Sequence, residues 1–182
     1  MTLQLISVQQ MLHEYNRGDR DFSQTCLKGV FLAGKYLVGT NFKRCDISGA
    51  DLSHSDLSRA NLAGANLTDA ELIETNFSGA NLEGANLIGA NLQAASLVGV
   101  NLAGADLRAA NLSSADLRGA NLCEARLSGA ILTDADLSGA QVNADELEAT
   151  DCEGVILDNI NTGTVCESVT VSSQWVSWGA RA

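Results

Sequence analysis

From Phe22 to Leu137 every fifth residue is large and apolar, beginning Phe22, Leu27, Leu32, Leu37, Phe42, Ile47 and Leu52. These are 24 consecutive positions, 20 of them Leu, which is a code and not an accident. Two residues before each comes a small one. Between Ala50 and Ala140 it is Ala in 16 of 19 cases, with Ser55, Thr75 and Val100 as the exceptions. The residue between the small and the large one is usually Asn or Asp. All 14 glycines from Gly29 to Gly154 fall two positions after the large residue. The pattern weakens through Val142, Leu147, Cys152 and Leu157 but keeps its register, which extends it to 28 units without insertion.

A period of five suits neither an α-helix, which repeats at 3.6, nor a straight strand, which repeats at 2. It suits a chain that turns every five residues. Each unit is then a short extended piece followed by a turn. The large residue and the small one point inward, and the polar residue between them points outward. Glycine after the extended piece supplies the positive φ that a tight turn requires. Such units bury their apolar rungs only against neighbouring units, the logic of a solenoid.

Ala60-Asn61-Leu62-Ala63-Gly64 and Ala80-Asn81-Leu82-Glu83-Gly84 resemble the repeats of the pentapeptide repeat protein family, and the resemblance spans residues 20–159. It implies an all-β solenoid: a right-handed, quadrilateral parallel β-helix of about seven four-sided coils, roughly 34 Å long at the usual interstrand spacing. Square closure is what the resemblance implies; the period alone does not require it. The first coils depart from the pattern, with Val30, Lys35 and Cys45 where Ala is usual. In a four-sided coil residue n lies under residue n+20, so the surface is mapped directly from the chain.

The ends read differently. Ser7 with Gln10 three residues on is a capping-box signature, and Val8, Met11, Leu12 and Tyr15 lie on one helical face, with Gly18 as a stop. This predicts an N-terminal capping α-helix within residues 1–19. Residues 160–182 form a tail whose apolar residues, Val165, Val169, Val171, Trp175, Val176 and Trp178, show no clean period. It is read as a cap over the last coil or, through Trp175 and Trp178, as a partner or dimer contact.

Composition narrows the function. Hydrophobic content of 46% and charged content of 18% over 182 residues exclude disorder. No apolar run approaches the ~20 residues that cross a bilayer, and the opening residues lack a basic-flanked leader. Five cysteines without Cys-x-x-Cys make neither a complete disulfide set nor a zinc ribbon, and a reducing cytoplasm fits them. The net charge of −11 disfavours direct nucleic-acid binding. Absence of proline agrees with uninterrupted backbone pairing.

Stacking at n+20 predicts an outward amide row, Asn41, Asn61, Asn81, Asn101 and Asn121, and a charge row, Asp106, Arg126 and Glu146. The side built on Leu32, Leu52 and Leu72 carries the candidate interaction patch: Asp51, Glu71, Glu74, Asp134, Asp151 and Glu153, without Lys or Arg, plus His54 under Glu74. A His with carboxylates is a conceivable divalent-metal ligand set, but a solvated acidic patch is the simpler reading, so no metal and no cofactor are assigned. The two His, the turn-spaced glycines and the absence of a Gly-x-Ser-x-Gly elbow give no catalytic residue, and the chain reads as a non-enzyme.

Two function classes remain. One is a rigid scaffold for protein–protein interaction, regulatory in character, with an unidentified protein partner, no membrane or nucleic acid, and a monomeric state or a dimer through a terminal coil. The resemblance, to a family with many cyanobacterial members, also implies an alternative: a DNA-mimicking binder of DNA gyrase that protects it from topoisomerase poisons. Against it, the acidic side is neutral in its middle, at Asn91, Gln93, Asn111 and Ser113, and the repeat carries no loop insertion.

Overall fold

In a computed structural model of the protein, which describes residues 3–148 and 150–160, the five-residue code becomes a stack of parallel rungs. Asp21 pairs with Asn41, Asn41 with Asn61, Asn61 with Asn81, Asn81 with Asn101 and Asn101 with Asn121, all parallel and twenty residues apart. The same spacing holds from Phe31 through Asp51, Glu71, Asn91, Asn111 and Ile131 to Asp151. Four such series, starting at Asp21, Cys26, Phe31 and Tyr36, define four sides, here called first to fourth. Each contact is two residues long or less, because the turn intervenes. Backbone bonds run both ways along the stack: Leu32 N–H donates to the Asp51 carbonyl at 2.7 Å, and Asp51 N–H donates to the Val30 carbonyl at 2.9 Å.

The core is a ladder of the coded residues. Leu72, Leu82, Leu87 and Phe77 are fully buried, as are Ala70, Ala90 and Ala95 beside them. Where a hydroxyl replaces the small Ala it is not orphaned. Thr40 donates to the Leu37 carbonyl at 2.6 Å, and Thr75 donates to the Leu52 carbonyl of the coil below at 2.8 Å. Among the described residues no buried polar side chain lacks a partner.

The outward Asn and Asp have a local task that periodicity alone does not reveal. Their Oδ1 atoms accept the backbone N–H two residues on, as from Ser53 to Asp51 at 3.0 Å and from Ser113 to Asn111 at 3.0 Å. This Asx turn starts most corners, and Asn or Asp is favoured because the short side chain reaches back to its own turn. Amide ladders are superimposed on it. Asn101 Nδ2 donates to Asn81, and Asn121 Nδ2 to Asn101, each at 3.2 Å.

The N-terminal end is closed on two sides. Helix α1, Val8–Asn16, is capped by Ser7, whose side chain accepts the Gln10 N–H at 3.1 Å, while the Gln10 amide turns away to Glu14. The reciprocal half of the capping box is therefore not made. Met11 anchors α1 in the core, and Tyr15 packs beside it under the Arg20 guanidinium, 3.8 Å from the ring centroid. Before the helix, strand β1, Gln4–Leu5, pairs in parallel with β2, Thr25–Cys26, and adds a rung below the second side. No repeat signal marks β1, because a two-residue strand has too few positions to show a period.

Near the other end, strands β3, Asn121–Leu122, and β4, Gln141–Val142, pair in register on the first side. The following unit differs from the uninterrupted repeat expected. A short helix α2, Ala144–Glu148, replaces the extended piece on the second side. Glu146 therefore does not continue the Asp106–Arg126 row, whose members meet at 3.2 Å. Its Oε2 accepts the Leu127 N–H at 2.8 Å, replacing the backbone carbonyl that a regular rung would offer. Because α2 spans one side only, pairing resumes at Ile131–Asp151 and Asp136–Ile156, and the twenty-residue register survives. Trp175 and Trp178, with the rest of residues 161–182, lie outside the described residues.

Candidate functional site

The third side carries its carboxylates in three parallel rows. Asp51, Glu71 and Asp151 belong to the paired row, Glu153 to the row beside it, and Glu74 and Asp134 to the corner, where the chain turns to the next side. His54 is in the corner row directly below Glu74, and its Nδ1 is 3.3 Å from Glu74 Oε2. Both side chains are well exposed, 60% for His54 and 61% for Glu74, so the pair is worth ~0–1 kcal/mol at most.

The acidic groups form two clusters. Asp51, His54, Glu71 and Glu74 occupy adjacent coils near the N-terminal end. Asp134, Asp151 and Glu153 sit three or more coils higher, a gap of about 14 Å between Glu74 and Asp134 at the rung spacing. Amides fill the interval: Asn91 Nδ2 donates to Glu71 Oε2 at 3.0 Å, and Asn111 Nδ2 donates to Asn91 Oδ1 at 3.2 Å. The lower cluster is thus tied into the amide ladder, and its carboxylates do not converge on one point. Among the described residues no three His, Cys, Asp or Glu side chains are disposed to hold a metal ion.

The corner row carries a second signal, in its backbone. From Phe22 to Leu137 the residue two after each rung has positive φ whether or not it is Gly. On the third side Gly34 is followed by five non-glycine residues, His54, Glu74, Ala94, Ser114 and Asp134, with φ between 52° and 60°. Those five are drawn from twelve non-glycine residues with positive φ among the described residues, so this side concentrates them. A left-handed conformation costs an L-residue about 1–2 kcal/mol, and strain of this kind collects where side chains are wanted. It places an exposed side chain at the turn. Asp134 leans from there across Gly154, so closely that a Cβ at Gly154 would collide with its Oδ1. In the sequence the same signal is the run of missing glycines along one side.

On the second and fourth sides three arginines pair with carboxylates. Arg108 makes two bonds to Asp106, at 2.7 Å each, and Arg118 does the same to Asp116 at 2.8 and 2.6 Å. These bonds hold both carboxyls below the usual carboxylate value. Burial pushes the Cys45 thiol up, which makes it an inert core group. A depression on the first side, lined by Lys43, Arg44, Asn61, Gly64, Asn81 and Glu83, is separate from the carboxylates. No helix among the described residues is long and apolar enough to cross a membrane.

Parallel rungs twenty residues apart, four sides and a repeated Asx corner define a quadrilateral parallel β-solenoid. The profile for pentapeptide repeats matches eight copies, over residues 21–53, 45–84, 85–122 and 110–143. The chain belongs to the pentapeptide repeat family, whose solved members imply a right-handed coil and whose proteins are generally structural or interaction proteins and not enzymes. No curated protein matches the chain. Among solved structures, the pentapeptide repeat protein Rfr23 from the cyanobacterium Cyanothece 51142 is 29% identical, covering 84% of this chain and 100% of its own, with a TM-score of 0.50. HetL, from the cyanobacterium Nostoc sp. strain PCC 7120 and involved in heterocyst differentiation regulation, is 26% identical over 86% of this chain and 94% of its own, with a TM-score of 0.43. QnrB1, a plasmid-mediated fluoroquinolone resistance protein, is 21% identical over 87% and 83%, with a TM-score of 0.47.

Proposed function

We propose that the chain is a non-catalytic scaffold of about seven coils that recognises a protein partner through its third side, in the cytoplasm, as a monomer or as a dimer through a terminal coil. One observation carries this reading: Asp51, Glu71, Glu74, Asp134, Asp151 and Glu153 share that side with no Lys or Arg. Among the described residues their one ion-pair partner is His54, at Glu74. Carboxylates elsewhere have Arg partners at Asp106, Asp116 and Asp136. Because the rungs fix the spacing of the rows, a partner's basic groups meet a preorganised pattern, and little entropy is lost on binding.

The test is affinity capture from the source lysate with the full chain and with a variant carrying Asp51→Asn, Glu71→Gln, Asp134→Asn and Asp151→Asn. Asparagine keeps the Asx turns at Asp51 and Asp151, so folding is preserved and is checked by thermal unfolding. A protein retained by the wild type and lost from the variant supports the reading, and equal retention refutes it. The alternative is gyrase binding by DNA mimicry, which asks for a continuous acidic stripe. The amide-filled gap between the two clusters counts against it. A supercoiling assay in which the protein inhibits gyrase or protects it from a poison would decide for the alternative.

A further inference from the structure

Below the first coil a strand covers the second side alone. On the first side the Asp21 N–H is taken by the Asp19 side chain at 3.0 Å, and on the second side β1 covers β2. On the third and fourth sides no strand lies below, although on the fourth the Tyr15 hydroxyl of α1 donates to the Val38 carbonyl at 3.4 Å. Asp51, one coil up, bonds through both its N–H and its carbonyl, whereas the N–H and carbonyl of Phe31 and of Tyr36 have no partner among the described residues. These two positions also break the outward code. Where the two coils above carry Asp51 and Glu71 on the third side and Asp56 and Asn76 on the fourth, the first carries Phe31, 68% exposed, and Tyr36, 78% exposed. Val38, next along the fourth side, is exposed too. An open β edge with a row of exposed apolar residues is a template for another chain.

Charge selects which chain. Over residues 3–59 seven Lys and Arg face six Asp and Glu, while over residues 60–160 three Arg face fifteen Asp and Glu. The protein is a rod with a slightly basic end and a strongly acidic remainder. Lys28 and Lys35 flank Phe31 in sequence and have no ion-pair partner among the described residues. Lysines at an edge repel basic strands and would be desolvated unpaired by neutral ones, so they favour acidic ones.

We propose that the open edge of the first coil, at Phe31 and Tyr36, docks an acidic segment of another protein that follows the coil, turning at the corner between the two sides. The segment's backbone pairs with the free N–H and carbonyl groups, its carboxylates meet Lys28 and Lys35, and its apolar residues cover the two rings. This deepens the reading of the chain as an interaction scaffold, and it names a second surface and the chemistry of its partner.

The experiment is selection of displayed short random peptides on the full-length protein, with a Lys28→Glu/Lys35→Glu variant as the counter-selection. Expected is enrichment of peptides combining Asp or Glu with β-branched residues. A synthetic copy of an enriched peptide should bind the variant roughly tenfold more weakly or worse, and a Phe31→Ser/Tyr36→Ser variant likewise. Methylating the peptide's backbone nitrogens should abolish binding. The third-side variant above should bind it as well as wild type does. The proposal is overturned if no acidic peptide is enriched, or if the enriched peptides bind the Lys28→Glu/Lys35→Glu variant equally. It is also overturned if sedimentation shows that the edge pairs with a second copy of this chain. If peptide selection fails while a lysate protein is still captured through the third side, the edge proposal falls and the scaffold reading stands.

Discussion

Ala94 and Ala95 are neighbours in sequence, and exchanging each for Gly should move stability in opposite directions. Ala94 stands at a third-side corner with φ of 54°, in the left-handed region. There an L-residue costs about 1–2 kcal/mol, and Gly removes that cost. Gly brings back about 0.5–1 kcal/mol through the freedom it loses on folding. The difference predicts that Ala94→Gly stabilises the protein by roughly 0.5–1 kcal/mol. Ala95 is fully buried at the small inward position and is not among the residues with positive φ. Ala95→Gly removes one buried methyl, about 0.8 kcal/mol, and adds the same entropic cost, for a loss of roughly 1–2 kcal/mol.

Equilibrium urea unfolding followed by circular dichroism reads both. Comparing midpoints at equal slope avoids long extrapolation, and a changed slope would signal that the coils no longer unfold together. Ala94 is a cleaner probe than His54 or Asp134 because its methyl makes no polar contact, so only backbone conformation changes. If Ala94→Gly lowers the midpoint, left-handed strain is not what distinguishes the third side's corners. Side chains displayed there would then carry no cost in stability.

Three further outcomes rest on single observations. Leu72 is fully buried in the ladder, so Leu72→Ala should cost about 2–5 kcal/mol, read from the same unfolding curves; a loss under ~1 kcal/mol would mean that the coils close over the cavity. Glu146→Ala strips the Leu127 N–H of its acceptor, a loss of about 1–3 kcal/mol, and should speed hydrogen exchange at the Leu127 amide; unchanged protection there would show that the side chain is not the partner. Asp106 is held below its ordinary 3.8, first by the hydrogen bond from Arg108. A depressed folded value means that this stabilisation is complete above the ordinary value and is lost as the pH falls through the folded one. Wild type and Arg108→Gln should therefore differ in urea midpoint at neutral pH and converge in acid below that range; a constant difference would contradict the linkage.

Much of this molecule is readable from its sequence because its core is one-dimensional. Leu and Ala at fixed offsets name the buried ladder, and spacing by twenty names vertical neighbours. The Asp51–Glu71 pairing and the His54–Glu74 contact both follow from that spacing alone. What resists reading is local. Helix α2 keeps Leu147 in phase with the repeat, so the rung period does not show that the backbone has become helical; the one departure in the code is Asp145 where the small inward residue belongs. Strand β1 is too short to carry a pattern. Gln10 satisfies the capping-box spelling but bonds Glu14, because a side chain on an exposed turn takes whichever acceptor its rotamer reaches.

The code also explains where function can reside. Inward positions are fixed by packing, and the Asx position is fixed by the turn, where only Asn, Asp and a few substitutes reach the backbone two residues on. The corner position is under the opposite pressure, since Gly is the occupant with the least strain. A side chain there is retained against a conformational penalty, and on the third side five successive corners retain one. The Asx position is informative for the complementary reason. Phe31 and Tyr36 cannot make an Asx turn, so their presence sacrifices a local bond for an exposed ring. Both departures reduce fit to the fold and increase what the surface offers to another molecule. They lie on adjoining sides at the N-terminal end, His54 and Glu74 one and two coils above Phe31. A partner that runs an acidic strand along the open edge and sets a basic group higher on the third side would use both.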